Sequence, residues 1–389
     1  MHLNKKHIIR ISLAGVSLLT SSLALSATVG NIDGTTIKFG GYVKLDAMST
    51  QYKDGEIPAN SWLRDFYVPS TTPVDGEGQN RNFDMHARQS RFNLGTETEI
   101  DGHKLSTFFE MDFMTHADGN ERVSNSYSPR MRHAFFKYDN WLFGQTWTTF
   151  QNLTVLPETA DFIGNTDFGI FVRQAQIRYT SGPWQFAIEN PETTVTNSVG
   201  GRIVTDDNEL PDFVGRYNYS SGSLSLTFAV LARQLTYNDG NDIDSSTTAL
   251  GLSASGKYTF GSGDDIRFGV NTGSGMGRYI GLNVANGAAI TSDNELEAID
   301  STATYIAFRH LWNSKLRSNI TYSQISIDHD TDLTSTDVTA ETASMMVNLM
   351  YSPTSKLTFG GEFAMVAREL ESDVKGKANR LQFFGKLAF

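Results

Sequence analysis

The chain has 389 residues, no cysteine and a formal net charge of -11 at pH 7. The absence of cysteine excludes disulfide bonds and thiol chemistry, and the acidic balance argues against a nucleic-acid partner. Glycine and aromatic residues are frequent, with 34 Gly, 25 Phe and 14 Tyr against 9 Pro. This composition indicates an all-β protein, and no linker or low-complexity segment divides it.

The N-terminal residues have the pattern of a secretory signal peptide. Three basic residues precede an apolar stretch at 11–25, and the small residues at 24–27 form a cleavage site. The apolar stretch is too short for a spanning helix, which needs roughly 20 apolar residues, and no later segment approaches that length. We therefore expect a signal peptide at 1–27 and a single domain at 28–389.

Short polar turns recur about every forty residues, each between two segments in which apolar and polar residues alternate. Seven such turns, with both chain ends on the turn side, give eight hairpins or about sixteen antiparallel strands. The segments on the other side are longer and rich in Asp, Asn, Gly and Thr, an asymmetry typical of outer-membrane barrels. The turns lie at 101–102, 139–140, 181–183, 221–222, 261–263, 313–314 and 353–354.

The first and last predicted strands show the alternation most clearly. Val43 and Leu45 fall on one face of the first strand, and Lys44 and Asp46 on the other. The last strand ends on Phe389, which resembles the terminal signal of bacterial outer-membrane proteins. In chain order we expect strands near 35–50, 84–99, 104–115, 130–138, 141–149, 171–180, 184–191, 212–220, 223–235, 247–259, 265–273, 301–311, 315–327, 341–351, 356–368 and 378–389.

The inward positions of these strands carry ionisable residues such as Asp46, Glu110 and Glu362. An unpaired ion in an apolar interior costs many kcal/mol, so the interior must hold water. A barrel of about sixteen strands is wide enough to enclose an aqueous channel. The sequence therefore predicts a transmembrane antiparallel β-barrel that forms a pore in the outer membrane of a Gram-negative bacterium.

The third long outer segment, Gln151 to Phe168, is more apolar than a surface loop needs to be. Its apolar residues could pack on the barrel wall, while Glu158, Asp161 and Asp167 could point into the lumen. In general porins the third loop folds inward and narrows the channel, and we expect the same here. The alternative is an ordinary surface loop.

Inward arginines recur along the first half of the barrel. A guanidinium group holds a carboxylate by two parallel hydrogen bonds and stays charged at any pH, so this series predicts a preference for anions and a transverse field opposite an acidic loop. Because we expect these groups to face water, their loss should leave folding intact. The alternative is that each arginine merely neutralises a wall carboxylate. The predicted constriction residues are Arg91, Arg132, Arg173, Arg178, Arg216 and Arg233, with Glu158, Asp161 and Asp167.

Signals for an enzyme or a metal site are weak. Eight His and no Cys leave few ligands, and no His pair has the spacing of a zinc site. The run from Asp239 to Asp244 lacks the closing Glu of a calcium loop. We expect no cofactor, no metal and no catalytic site.

Acidic outer segments, including 54–77, are placed outside the cell, where they are solvated or meet lipopolysaccharide through divalent cations.

Five segments resemble the DcaP-like family of trimeric outer-membrane porins. The resemblance implies a homotrimer of sixteen-stranded barrels that passes small organic anions, dicarboxylates in particular, with solute contacts at Arg91, Arg132, Arg178 and Arg216. Some members have a coiled-coil extension, whereas only residues 28–34 precede the first predicted strand here. The segments lie at 88–92, 130–135, 144–160, 172–179 and 211–217.

Two other interpretations stay open. A sugar-specific or general non-selective porin would share the architecture, although no inward series of aromatic residues runs through consecutive strands. An outer-membrane enzyme or adhesin on a barrel scaffold is the second alternative, but no convincing Ser and His pair is present. The expected partners are small anionic solutes, the lipid bilayer, lipopolysaccharide and further copies of the chain.

Overall fold

The structure is a computed structural model that describes residues 26–59, 61–78, 81–115 and 124–389. The predicted signal peptide, up to residue 25, lies outside the described residues. In chain order the strands are β1 (Ser26–Ile32), β2 (Thr35–Tyr52), β3 (Asn82–His86), β4 (Arg91–Ile100), β5 (His103–Asp112), β6 (Arg130–Tyr138), β7 (Trp141–Trp147), β8 (Arg173–Ser181), β9 (Trp184–Glu189), β10 (Thr193–Thr196), β11 (Arg202–Thr205), β12 (Asp212–Ser221), β13 (Leu224–Asn238), β14 (Asp244–Thr259), β15 (Asp265–Ser274), β16 (Ala288–Ile290), β17 (Leu296–Ala298), β18 (Asp300–Leu311), β19 (Leu316–Asp328), β20 (Thr339–Tyr351), β21 (Leu357–Leu370) and β22 (Lys375–Ala388).

The barrel wall consists of sixteen antiparallel strands, if β3 and β4 are counted as one and β1, β10, β11, β16 and β17 are left out. The barrel closes because β22 pairs with β2. Closure pairs every strand edge of the wall, which a membrane-spanning sheet requires. The sixteen predicted strands and the seven tight turns are confirmed, with ends that shift by a few residues. The second strand of the wall differs from its prediction, because residues 87–90 interrupt it and leave β3 and β4 as two shorter strands. Ahead of the first predicted strand the structure adds β1, which pairs with the start of β2.

Side chains alternate between lipid and lumen as the sequence predicts. Val43 and Leu45 are 53% and 48% exposed on the outer surface, whereas Lys44 and Asp46 are buried inside. The alternation breaks in β6, where a bulge opposite Glu110 places both Arg132 and His133 on the inner face. Such a bulge adds one residue to one strand and shifts the side of those that follow.

Aromatic rings form a girdle on the outer surface near the tight turns. Rings that are apolar over most of their area and polar at one tip suit the interface between lipid and water. No described helix is long and apolar enough to cross a membrane. Neighbouring rings in the girdle are Trp141 with Tyr179, Trp184 with Tyr217, and Tyr258 with Phe260, at centroid separations of 4.7, 4.6 and 5.1 Å.

Three of the long outer loops fold into the barrel, namely L1 (described at 53–59, 61–78 and 81), L3 (148–172) and L6 (275–299). Phe66 of L1 packs with Ile163 of L3 in a buried cluster, and Tyr279 of L6 is fully buried. The expectation that the acidic segment 54–77 lies outside the barrel is therefore wrong for part of its length. Its apolar residues, which include Phe66, Tyr67 and Val68, lose contact with water by packing inside the barrel.

L4 (190–211) and L6 also form a small sheet that the sequence analysis did not predict. Its order is β11, β10, β16 and β17, with β10 and β16 parallel. Val195 of β10 and Ala288 of β16 pack on Leu235, which belongs to the outer end of β13. This outer sheet covers the inner face of the barrel between β13 and β14.

The outward position of Val347 in the middle of β20 offers a test of the membrane face. Replacing Val347 with Arg should destabilise the barrel by roughly 2–4 kcal/mol, because a charge in the apolar band loses its hydration. Urea unfolding in phospholipid vesicles measures this cost, with Val347→Leu as the matched apolar control. An unchanged unfolding midpoint for the Arg variant would contradict the assignment of this face to lipid.

Candidate functional site

L3 leaves β7, crosses the lumen and returns to β8. Its far side contacts the opposite wall: Asn152 donates a hydrogen bond to Ser255 of β14 at 2.9 Å. Tyr305 of β18 donates to the Val155 carbonyl at 2.8 Å. The prediction of an inward-folded third loop is confirmed by these contacts, which place the loop across the passage.

The buried carboxylate of Glu362 fixes the tip of L3 to the wall. Its two oxygens accept hydrogen bonds from the backbone N–H groups of Ala160 and Asp161, both at 2.9 Å. Asn348 on the neighbouring strand donates a third bond at 2.9 Å. Backbone groups of a loop inside a barrel need such partners, because an unpaired buried N–H is costly.

Asp167 forms a second attachment and is completely buried. It accepts hydrogen bonds from Tyr67 of L1 at 2.7 Å, from Ser323 at 2.8 Å and from Thr342 at 2.6 Å, and a fourth from Ser344. Burial raises the pKa of Asp167 above its usual value, and the hydroxyl donors oppose that rise. The expectation that Asp167 points into the lumen is wrong, because the loop rests on the wall at this point.

Asp161 stabilises the L3 tip itself. It accepts from the backbone N–H groups of Tyr67, Ile163 and Gly164 at 2.9 to 3.1 Å. Arg380 lies 3.7 Å from the same carboxylate. Asp161 borders the lumen, but its oxygens are engaged by the loop and are only slightly exposed.

A cavity of about 160 Å³ lies between the L3 tip and the barrel wall. We call it the constriction cavity. Of the nine predicted constriction residues, it brings together Arg91, Arg132, Glu158 and Asp161. Its charged lining consists of five cations and two carboxylates, namely Lys44, Arg91, Arg132, Arg317 and Lys386 with Glu158 and Asp161.

Arg91 and Arg132 are held by carboxylates of β5. Arg132 bonds Glu110 at 2.8 Å and Asp112 at 2.9 Å, and Arg91 lies 3.4 Å from Glu110. Both arginines are 2% exposed, so the expectation that they face open water is wrong. Removing either would leave a buried carboxylate with less compensation, which typically costs several kcal/mol.

The charged residues on the opposite side of the cavity also have partners. Arg317 forms a fork on Glu158 with bonds of 2.7 and 2.9 Å. Burial alone would raise the pKa of Glu158, but the hydrogen bonds and charge of Arg317 hold it below its usual value. Lys44 bonds Asp46 at 2.9 Å and the Ala160 carbonyl at 2.8 Å.

Arg178 and Arg216 lie outside the cavity and hold the first residues of L3. Arg178 donates to Thr149 at 2.8 Å and to the Trp147 carbonyl at 2.5 Å. Arg216 donates to the Gln151 carbonyl at 2.5 Å. Both remain half-exposed, so they border the lumen on the turn side of the loop.

The last two predicted arginines are further from the passage. Arg233 bonds Asp212 at 3.2 Å and the Glu192 carbonyl at 2.6 Å, which ties L4 to the wall. Arg173 lies over the ring of Trp147 at 4.5 Å. Because Trp147 lines the constriction cavity, Arg173 is next to the site without being part of its lining.

Sequence reasoning did not assign Lys44, Arg317 or Lys386 to the site. Their inward positions are evident from the alternation, and that was the available signal. The missing information is that the L3 tip contacts the first and last strands, which alternation within one strand does not encode.

Among the described residues, no group of three His, Asp or Glu side chains could hold a metal ion.

Removal of the Asp167 carboxylate tests the attachment of L3. Asp167→Ala leaves four hydroxyl groups without their acceptor, which should weaken the attachment by about 1–3 kcal/mol. We expect a larger single-channel conductance and faster proteolysis within L3. Asp167→Asn, which keeps one acceptor oxygen, should lie between the two. Wild-type conductance and protease resistance in the Ala variant would show that the other contacts suffice.

The model of the DcaP outer membrane protein family matches residues 20–389. No curated protein matches the sequence. Among solved structures, the chain is similar to the outer membrane channel DcaP of Acinetobacter baumannii, with a TM-score of 0.77 and 23% identity over 93% of this chain and 100% of that chain.

Two more distant porins share the fold. The anion-selective porin from Comamonas acidovorans gives a TM-score of 0.56 at 11% identity, over 91% of this chain and 100% of that one. Salmonella typhi OmpF, solved in complex with daunomycin, gives 0.57 at 13% identity, over 94% of this chain and 100% of that one. At these identities the likeness establishes the barrel fold alone.

Proposed function

The chain belongs to the DcaP outer membrane protein family, and we propose that it mediates passive, weakly anion-selective diffusion of small organic acids such as dicarboxylates. The observation that carries the proposal is the lining of the constriction cavity, where five cations meet two carboxylates. Both carboxylates are already bonded to the protein. A solute that enters this cavity therefore meets more cations than carboxylates on its lining.

The same geometry explains why the proposed selectivity is weak. Three further carboxylates, Asp46, Glu110 and Asp112, lie directly behind the lining, and their charge equals the lining's excess of three positive charges, although Asp112 also bonds Arg130 outside the cavity. Paired charges produce a smaller field in the passage than isolated ones. We expect the channel to favour small acids over neutral solutes by a modest factor and to exclude cations incompletely.

The positive lining continues on the turn side of L3. Lys137, Arg178, Arg216 and Lys257 all face the lumen there, and no described carboxylate lies within 4.0 Å of them. An anion that leaves the constriction cavity would thus meet further cations on its way to the periplasm. This arrangement supports a path for anions through the whole barrel.

Aromatic side chains in the cavity favour a second candidate, a porin for sugars. Tyr42, Trp147 and Phe384 line the cavity together with the L3 residue Phe162, and aromatic faces bind the apolar faces of sugar rings. Several of these rings already contact cations, however, as Tyr42 does with Arg91 at 5.0 Å. We therefore rank acids above sugars. The solved relatives are channels, and an enzyme or adhesin gains no support.

Reversal potentials in planar bilayers under a salt gradient test the charge preference. We expect a permeability ratio for chloride over potassium above one, falling toward one at high salt as the fixed charges are screened. Liposome swelling should be faster with succinate than with glucose and slowest with lysine. Equal rates for the three solutes would favour a general porin, and the fastest rate with glucose would favour a sugar channel.

We also propose a homotrimer whose contacts lie on the low wall, which consists of β6 to β9. These strands have 9, 7, 9 and 6 residues, against 15 and 16 in β13 and β14. At about 2.5 Å of height per tilted residue, six residues reach roughly 15 Å, below the ~25 Å of the apolar band. A neighbouring subunit would cover the part of the apolar band that these short strands do not reach. Lipid and lipopolysaccharide would surround the remaining wall.

Outward small residues allow a matched test of this contact. Ala134 lies on β6 of the low wall, and Ala343 lies on β20, outside the low wall. Both side chains face outward. Ala134→Trp should dissociate the trimer, because a large ring separates packed subunits, whereas Ala343→Trp should be accommodated by lipid. Native gel migration of detergent-extracted protein measures both. A trimer that survives Ala134→Trp would place the contact elsewhere.

A further inference from the structure

We infer that Lys386 is the side chain that binds the carboxylate group of a passing solute, an inference that rests on the proposed function. Lys386 belongs to the last strand and lines the constriction cavity. Its ammonium group lies 5.5 Å from the centre of the Tyr42 ring. The guanidinium of Arg91 lies 5.0 Å from the same ring, so two cations meet at one aromatic side chain.

Lys386 differs from the other cations of the cavity in having no anionic partner. No carboxylate oxygen of the described residues lies within 4.0 Å of its ammonium group, and no described acceptor bonds it. Arg132 and Arg317, by contrast, are held by two bonds each to carboxylates. Lys44 is bonded to Asp46 and to a backbone carbonyl.

This difference decides which group can bind a solute. The N–H groups of Arg132 and Arg317 that bond protein carboxylates cannot bond a solute unless those bonds break, so the exchange gains little. An ammonium group has three donors, and those of Lys386 are available to water or solute. The side chain is partly buried in the strand wall, and it is accessible from the lumen because it lines the constriction cavity.

The surroundings of Lys386 favour a carboxylate rather than a bare inorganic anion. The ammonium group provides charge, while Leu156, Pro157 and Met350 in the same cavity provide an apolar surface for the carbon atoms of an organic acid. A dicarboxylate could place one group at Lys386 and leave its second group free for the cations that follow. The site would thus be selective through contact and not through charge alone.

Lys257 provides a matched control for this inference. It also faces the lumen and has no described carboxylate within 4.0 Å, but it lies on β14 outside the constriction cavity. Substitution of either lysine by Met removes one positive charge from the lumen. A difference between the two variants therefore reports the location of the charge and not its amount.

The experiment measures single-channel current against succinate concentration for each variant. Lys386→Met should raise the half-saturating concentration at least fivefold and Lys386→Arg should stay within twofold of wild type. Lys257→Met should raise it by less than twofold, because this variant removes a charge along the path but not the proposed contact. Lys386→Gln serves as a second neutral variant, and heat-modifiable gel migration checks folding in every case.

The outcomes separate the two proposals. Wild-type saturation in Lys386→Met or Lys386→Gln, or an equal loss in Lys257→Met, would overturn the inference about Lys386. A wild-type channel that prefers cations or shows no succinate current would instead overturn the proposed function. Loss of saturation in the neutral variants with rescue by Arg supports the inference.

Discussion

The need to give every buried carboxylate a set of donors governs the interior of this barrel. Glu362 and Asp167 have no described cation within bonding distance, and each is satisfied by backbone N–H or hydroxyl groups from different elements. Those bonds can form only if L3 lies across the lumen. The position of the loop, and with it the size and lining of the passage, therefore follows from hydrogen-bond satisfaction at two acidic side chains.

The same requirement distributes the positive charge of the cavity. Carboxylates on β5 hold Arg91 and Arg132 at fixed positions, and Glu158 on the loop holds Arg317. The paired residues fix the lining of the cavity, whereas Lys386 has no described carboxylate within 4.0 Å and is the group that we propose binds the solute. On this proposal, the groups that maintain the geometry of the channel differ from the group that contacts the solute.

Much of the barrel could be predicted from the sequence because a period of two and a tight turn are local properties. Val43 and Lys44 reveal the two faces of a strand without any knowledge of their neighbours, and the apolar content of L3 indicates its inward course. The pairing of Arg132 with Glu110, the attachment of Asp167 and the proximity of Lys386 to the loop tip depend on contacts between distant segments. The bulge at Arg132 also changes which side chains face inward, and alternation alone does not reveal it.

The bond between Tyr67 and Asp167 joins a loop that begins at the cell surface to the segment that narrows the passage. The two loops therefore form one connected unit inside the barrel. A substitution in L1 that removes the Tyr67 hydroxyl takes away one of the four donors to Asp167, so sequence changes in a loop that starts at the outer rim are transmitted to the width of the channel.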